Sequence, residues 1–526
     1  MGRLLIKKWR VYTLERGLGW FEVFLWVVAN PVASGFTFFT VQMLGTPGLY
    51  GGSNLLAYLL AGLVYVPVVL AFMYVALNVQ RAAAPYVLIS RAVSPVVAFI
   101  AIWYYMAASG GLLSLGFLVY YGFKALAGNV LLAGLASGDQ LLVDLGVVLN
   151  QPLTELYLGV LVVAALFILA SVGTRRLKWV LAPIVVTPLL ITLAYTVALY
   201  LADPGTIYEN WARATGLNPV LLEDVALKGA LRGVTPLTPA PLAAATGGMM
   251  VAALWAYAGL ESASFVAGEV KDPVKSYTRG YPLGFLTVFA LYLLVPFVVE
   301  TKLGVSLVAS HSYLYYNYRG VLRSLSGRPL VPPSIFVYLS LFTSDKYLIL
   351  LAGLAAFMWF LNTAYTIWLA AIRILYALAV DKMAPSSLAR VTGVRGVPIV
   401  ANNVVFSFGI VGLLLGCLTV KGLIPVASLL KLFGFSYSIL VWLTGLSLAV
   451  LPWTRGGFYE GLPFKRRVFE TAVGAACFAS GWFMLLYSGS NVSLVEVVAN
   501  SFIGLLALVS LLLVMRRFWA PEAVTT

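Results

Sequence analysis

Long apolar runs, cut by short stretches carrying charge, Gly or Pro, repeat from one end of the chain to the other. Twelve runs approach or exceed the roughly 20 residues that carry an α-helix across a bilayer. They fall at residues 20–44, 54–77, 95–125, 153–172, 179–201, 241–267, 282–299, 347–380, 399–420, 423–451, 468–487 and 493–515. Lipid offers the backbone no hydrogen-bond partner, so such runs must close their own bonds as helices. The pattern predicts an all-α polytopic membrane protein of twelve transmembrane helices. Two longer polar segments, 202–240 and 300–346, hold Pro, Gly and aromatic residues and read as ordered caps.

Composition agrees with this picture. Of 526 residues 61% are hydrophobic and 10% charged, against about 25% charged in soluble domains, which excludes a water-soluble globule. The net charge of +15 would suggest a nucleic-acid partner on a soluble chain. Here the basic residues lie in short loops, so the charge reports topology and no nucleic acid is implied. With loops assigned to alternate sides, 22 Lys and Arg lie with the N-terminus and ten on the other side, leaving Arg373 and Lys431 within spans. That bias predicts a multi-pass protein of the plasma or inner membrane with both termini cytoplasmic. The basic N-terminal stretch leads into no small-residue cleavage site, which predicts no cleaved signal peptide. Cys417 and Cys477 lie in apolar runs and the single histidine, His311, in a polar loop. Neither a disulfide framework, a histidine metal cluster nor a nucleophile–histidine pair can be assembled from them. The expectation is a protein that is not an enzyme and has no metal or cofactor.

Two spans are interrupted. Span 1 carries ANPVASGFTFF, where Pro31 removes a backbone donor at mid-membrane and Gly35 relaxes the helix after it. Span 6 carries ALWAYAGLESASF, with Gly259 among small residues at similar depth. Broken helices at that depth must be packed in protein or line a cavity. Two breaks five spans apart predict inverted five-helix repeats, with residues 19–202 and 241–451 as the repeats and the loop 203–240 between them. Residues 1–18 and 516–526 then form cytoplasmic ends, and 452–515 holds spans 11 and 12. Free amides at one half-helix suit a carboxylate and free carbonyls at the other suit an ammonium, so a zwitterionic amino acid fits both.

Glu261 sits half-way through span 6, where burying its charge in lipid is costly, so it should face the bundle interior. It is a candidate proton carrier, the alternative being a protonated carboxyl that satisfies backbone groups at the break. Asn362 and Thr363 in span 8 could hold a sodium ion or bond neighbouring helices. Arg373 and Lys431 read as side chains snorkelling to an interface, and Trp103 and Tyr104 as packing. Trp255, one turn before the span 6 break, can close a cavity or stack over a cation.

These residues resemble the amino acid, polyamine and organocation transporter superfamily. The most specific stretch is LWAYAGLESASFVAGEVKDP at 254–273, similar to the span 6 signature and closest to the version in arginine/agmatine antiporters. RAAAPYVLISRAVSPVVAFIAIWYY at 81–105, and RILYALAVDKMAPSSLARV followed by RGVP within 373–398, match in the expected order. The resemblance implies a LeuT-like fold of two inverted five-helix repeats plus two C-terminal helices. It implies amides of Ala33, Ser34 and Gly35 at the substrate carboxylate, and carbonyls of Trp255, Ala256 and Ala258, beside Gly259, at the ammonium. It also implies Trp255 as aromatic gate and Glu261 as the carboxylate of proton-dependent gating. The chain departs from the family at Ala33, where a glycine is usual, at Val185 in place of a span 5 lysine, and at Val380 in place of an arginine.

The resulting expectation is a secondary active transporter of amino acids or related amines, proton-linked or an exchanger of the antiporter kind. Its partners are a small-molecule substrate, a proton or sodium ion and the lipid membrane, with the oligomeric state open. The alternatives are a sodium-coupled symporter using Asn362 and Thr363 with span 1 carbonyls, and a non-transporting sensor or subunit on the same fold. A sensor would be expected to have lost the span 1 break or the span 6 carboxylate; both are present.

Overall fold

In the computed structural model, residues 16–33, 35–109, 112–171, 174–391, 397–424, 426–489, 500, 503–506 and 509–510 are described. Span 1 is split into α1 (Trp20–Ala29), a π-helical turn (Gly35–Phe39) and α2 (Thr40–Leu44). Span 2 is α3 (Asn54–Asn78), followed by a short α4 (Ala84–Ala92). Span 3 comprises α5 (Pro95–Tyr104), a π turn (Tyr105–Ser109) and α6 (Leu112–Ser137). After α7 (Gln140–Leu149), spans 4 and 5 are α8 (Pro152–Ala170) and α9 (Thr174–Leu201). The first long loop folds into α10 (Pro204–Thr215) and α11 (Pro219–Lys228), and span 6 opens with α12 (Leu242–Ala256). Span 7 is α13 (Pro273–Leu303), and the second long loop holds α14 (Val305–Asn317), α15 (Arg319–Ser326) and α16 (Ile335–Leu339). Spans 8, 9 and 10 are α17 (Lys346–Val380), α18 (Ile399–Val420) and α19 (Val426–Thr454). A single turn, α20 (Gly456–Glu460), leads to span 11 in α21 (Arg467–Gly489).

Among the described residues nine helices are long and apolar enough to cross a membrane, and spans 1 and 6 are built from shorter pieces. The twelfth run, 493–515, lies largely outside the described residues. No strand occurs among the described residues, only two isolated bridges. Span 3 runs on to Ser137, beyond its expected end at 125, and stops where Gly138 takes a positive φ of 73°. Span 7 begins at Pro273, earlier than expected, because proline at the first helical turn needs no partner for its missing N–H.

The ends of the bundle are distinct. At one end α11 packs on α14, Tyr313 donates to the Thr235 carbonyl (2.6 Å) and Lys346 pairs with Asp139 (2.8 Å). The two long loops are thus ordered and share a face. At the other end Lys271 N donates to Leu18 O (2.7 Å), Arg91 lies 3.8 Å from Asp381, and Phe464 N donates to Asn78 Oδ1 (2.9 Å). Arg373 corrects the sequence reading there. Instead of snorkelling, it is buried and pairs with the fully buried Glu269, Nε to Oε1 at 2.7 Å and Nη2 to Oε2 at 3.0 Å. A guanidinium fork matches a carboxylate in two parallel bonds, which a side chain seeking water would forgo.

Candidate functional site

The two breaks interlock. α1 ends at Ala29, Asn30 caps it, and the helix resumes at Gly35. α12 ends at Ala256, after which Gly259 takes a φ of 114° that side-chain-bearing residues rarely adopt. A Cβ on Gly259 would occupy the place of the Asn30 side chain, and one on Gly35 would lie 2.7 Å from Ala256 Cβ. Both glycines are therefore required by the approach of one break to the other. Tyr292 Oη of α13 lies 2.8 Å from both Pro31 O and Ala256 O, so one hydroxyl spans carbonyls from the two interrupted helices.

Glu261 follows the span 6 break and is 1% exposed. Its Oε1 accepts from Tyr105 Oη at 2.6 Å, and its Oε2 accepts from Tyr437 Oη and from Gly259 N, each at 2.9 Å. Tyr281 Oη donates to its main-chain carbonyl (3.2 Å). A carboxylate can accept about four hydrogen bonds, and three are met by protein donors drawn from spans 3, 6 and 10. Protonation turns one acceptor oxygen into a donor, so the tyrosine facing it must reorient. The group can thereby convert a proton into altered bonding among three spans.

Beside it lies a cavity with an empty volume of about 420 Å³. Span 1 contributes Asn30, Pro31, Ala33 and Gly35, span 3 Tyr105, Ser114 and Leu118, and span 8 Thr363 and Ile367. From span 6 come Trp255, Ala258, Gly259 and Glu261. Eight of the residues singled out from the sequence, Pro31 among them, therefore meet at one cavity. Ala256 stands outside its lining, with its carbonyl facing Tyr292, and Ser34 lies outside the described residues. The Trp255 indole packs edge-to-face with Phe39, centroids 5.6 Å apart. Asn362 donates from Nδ2 to Ile184 O (3.1 Å), toward span 5. Thr363 Oγ1 sits 2.8 Å from Ala29 O and 2.9 Å from Trp359 O. The bonds to Ile184 O and Ala29 O join helices, as small polar side chains do in membranes, whereas that to Trp359 O stays within α17.

Compared with known families, residues 18–512 match the family described as Amino acid permease. The chain belongs to the amino acid permease family. A comparison with curated proteins finds no match. The permease is thus an amino acid transporter and not an enzyme, and its multi-pass helices and membrane setting follow from the same assignment.

Three tyrosines of the permease's site escaped the sequence reading. Trp103 and Tyr104 drew attention, yet Trp103 stacks on Phe99 (5.8 Å) and Tyr104 Oη meets Asn500 O (3.2 Å). It is Tyr105, the next residue and the first of a π turn, that faces Glu261. Each helical residue is rotated by about 100° from the last, so neighbours face different spans. Tyr437 and Tyr292 carried one available signal: a phenol at mid-span needs a hydrogen-bond partner.

Proposed function

We propose that the permease moves amino acids or related amines by alternating access around the cavity at the paired breaks, with protonation of Glu261 biasing which face is open. The observation that carries this reading is the place of Glu261: it lines the cavity while its oxygens hold Tyr105 and Tyr437 from two other spans. In this reading backbone groups at Ala33, Ser34 and Gly35 receive the carboxylate, and carbonyls near Trp255 and Ala258 receive the ammonium. Ala256 contributes by packing against Gly35. Two inverted five-helix repeats, with both termini cytoplasmic, provide the parts that rock against each other. Proton-linked uptake and exchange both use the same carboxylate. The sodium-coupled alternative keeps a grouping of oxygens at the span 1 break, since Thr363 Oγ1 lies 2.8 Å from Ala29 O and 3.3 Å from Asn362 Oδ1, while Asn362 Nδ2 donates to Ile184 O.

A thermal-shift screen of the purified permease against all amino acids and common amines tests the reading. A ligand that binds the folded state raises the melting temperature by mass action. At least one amino acid or amine is expected to do so in a saturable way; a flat response across the panel contradicts the proposal.

A further inference from the structure

A second, smaller cavity lies beside the first and shares two walls with it, Trp255 and Ala258. Its remaining walls come from spans 2, 6, 10 and 11. Val251, Leu254 and Met484 make it apolar, and Ser438 and Ser488 add hydroxyls. Ser438 Oγ donates to the Gly434 carbonyl of its own helix (2.6 Å), and Tyr65 Oη, another wall, donates to Leu254 O (2.8 Å). Tyr437 closes the cavity toward Glu261, and its hydroxyl donates to Glu261 Oε2.

Among the described residues, neither Lys, Arg, His, Asp nor Glu lines this annex, and Glu261 is the only such residue lining the central cavity. A charged group entering the annex would leave water without a counter-charge or a full set of hydrogen-bond partners, which apolar contact does not repay. An uncharged side chain meets no such penalty, and gains from contact with Val251, Leu254 and Met484.

We infer that the annex beyond Trp255 is the side-chain subsite of the transported amino acid and that it selects uncharged, apolar side chains. The inference rests on the central cavity holding the amino acid's carboxylate and ammonium. With these placed at the two breaks, the α-carbon lies next to Ala258, and movement of the indole joins the annex to the central space. It gives span 11, through Met484 and Ser488, a part in specificity. It also sets this permease apart from carriers of arginine and its decarboxylated amine, which the span 6 signature resembles.

The test compares binding of alanine, leucine, methionine, phenylalanine, arginine and glutamate to the full-length permease and to two variants that fill the annex from opposite walls, Ser438→Leu and Val251→Phe. Ser438 bonds only its own helix, so its replacement removes no bond between spans. Leucine, methionine or phenylalanine is expected to bind the unmodified protein more tightly than arginine or glutamate. The leucine-to-alanine affinity ratio is expected to fall at least tenfold in each filling variant that binds alanine. Preference for arginine or glutamate overturns the inference while leaving amino acid transport in place, and so does an unchanged ratio in the filled annex. Failure of every amino acid to bind the unmodified protein overturns the reading on which the inference rests.

Discussion

At the scale of single residues, the proposed coupling rests on Glu261, a carboxylate at a helix break that also holds two tyrosines from other spans. Glu261→Gln keeps the size and imitates the neutral form, and the amide can still accept from one tyrosine. In proteoliposomes the unmodified permease is expected to show pH-dependent flux, and the variant to retain binding while losing most of that dependence. An unaltered pH profile in the variant would identify Glu261 as a structural partner of the break. His311 makes the complementary case outside the spans. It is buried in α14, its Nδ1 lies 2.8 Å from Tyr338 Oη, and Trp211 and Tyr315 pack around it. Burial pushes its pKa down to about 3, against a weaker opposing hydrogen bond to the Val331 backbone. Between about 6.5, the usual histidine value, and that native value, the unfolded chain binds a proton that the folded one does not. Stability contributed at neutral pH is therefore lost as pH falls through this window. Melting temperatures measured from pH 7 downward should fall less steeply in His311→Gln than in the unmodified protein; equal slopes would show that His311 takes up its proton in the folded state. The lone histidine was visible in the sequence, but its burial between two loops was not, because nothing local in HSYLYYNYRG indicates that Trp211 and Tyr338 cover it.

At the scale of elements, the breaks were legible because they are written in backbone chemistry: Pro31 lacks a donor, and Gly259 permits a φ that other residues resist. What occupies the space around each break was not legible. The facing of span 3 depends on a π turn at Tyr105, and that of span 10 on rotation about its own axis, neither of which leaves a periodic mark in runs that are apolar on every side. The same limit explains Arg373. A cation inside an apolar run has two outcomes, an interface or a partner, and the partner Glu269 is 104 residues earlier. The pair joins α17 to the end of span 6, next to the point where Gly17 N and Leu18 N donate to Glu269 O (2.9 and 3.1 Å). Removing one member of such a pair leaves an uncompensated buried charge, typically at a cost of about 3–5 kcal/mol, whereas replacing both with apolar groups is often close to neutral. Arg373→Ala should accordingly lower the melting temperature sharply, and Arg373→Met combined with Glu269→Leu should recover much of the loss. A double variant as unstable as the single one would show that the two side chains act independently.

At the scale of the whole molecule, the succession of helical spans from the first to the eleventh and the order of the loops between them followed from hydropathy alone, since lipid leaves helices little alternative. The structure adds that both long loops fold on one end while Leu18, Asn78, Arg91, Lys271 and Asp381 gather at the other. Placing the second end in the cytoplasm rests on the 22 to ten distribution of loop Lys and Arg. Single cysteines at Lys465 and Asp203, in a chain whose buried Cys417 and Cys477 are replaced by serine, should label from opposite sides, Asp203 from outside. Labelling from one side would break the twelve-span topology. The site that this architecture surrounds can be tested without reference to coupling or direction. Ser114 lines the central cavity from span 3, and Ser114→Cys in the same background places a reactive thiol there with little change of shape. With an amino acid shown to bind, saturating ligand should slow alkylation of that cysteine severalfold while leaving a cysteine at Asp203 unaffected. Alkylation at the same rate with and without bound ligand would contradict the claim that the cavity between the two broken helices is where the permease holds its substrate.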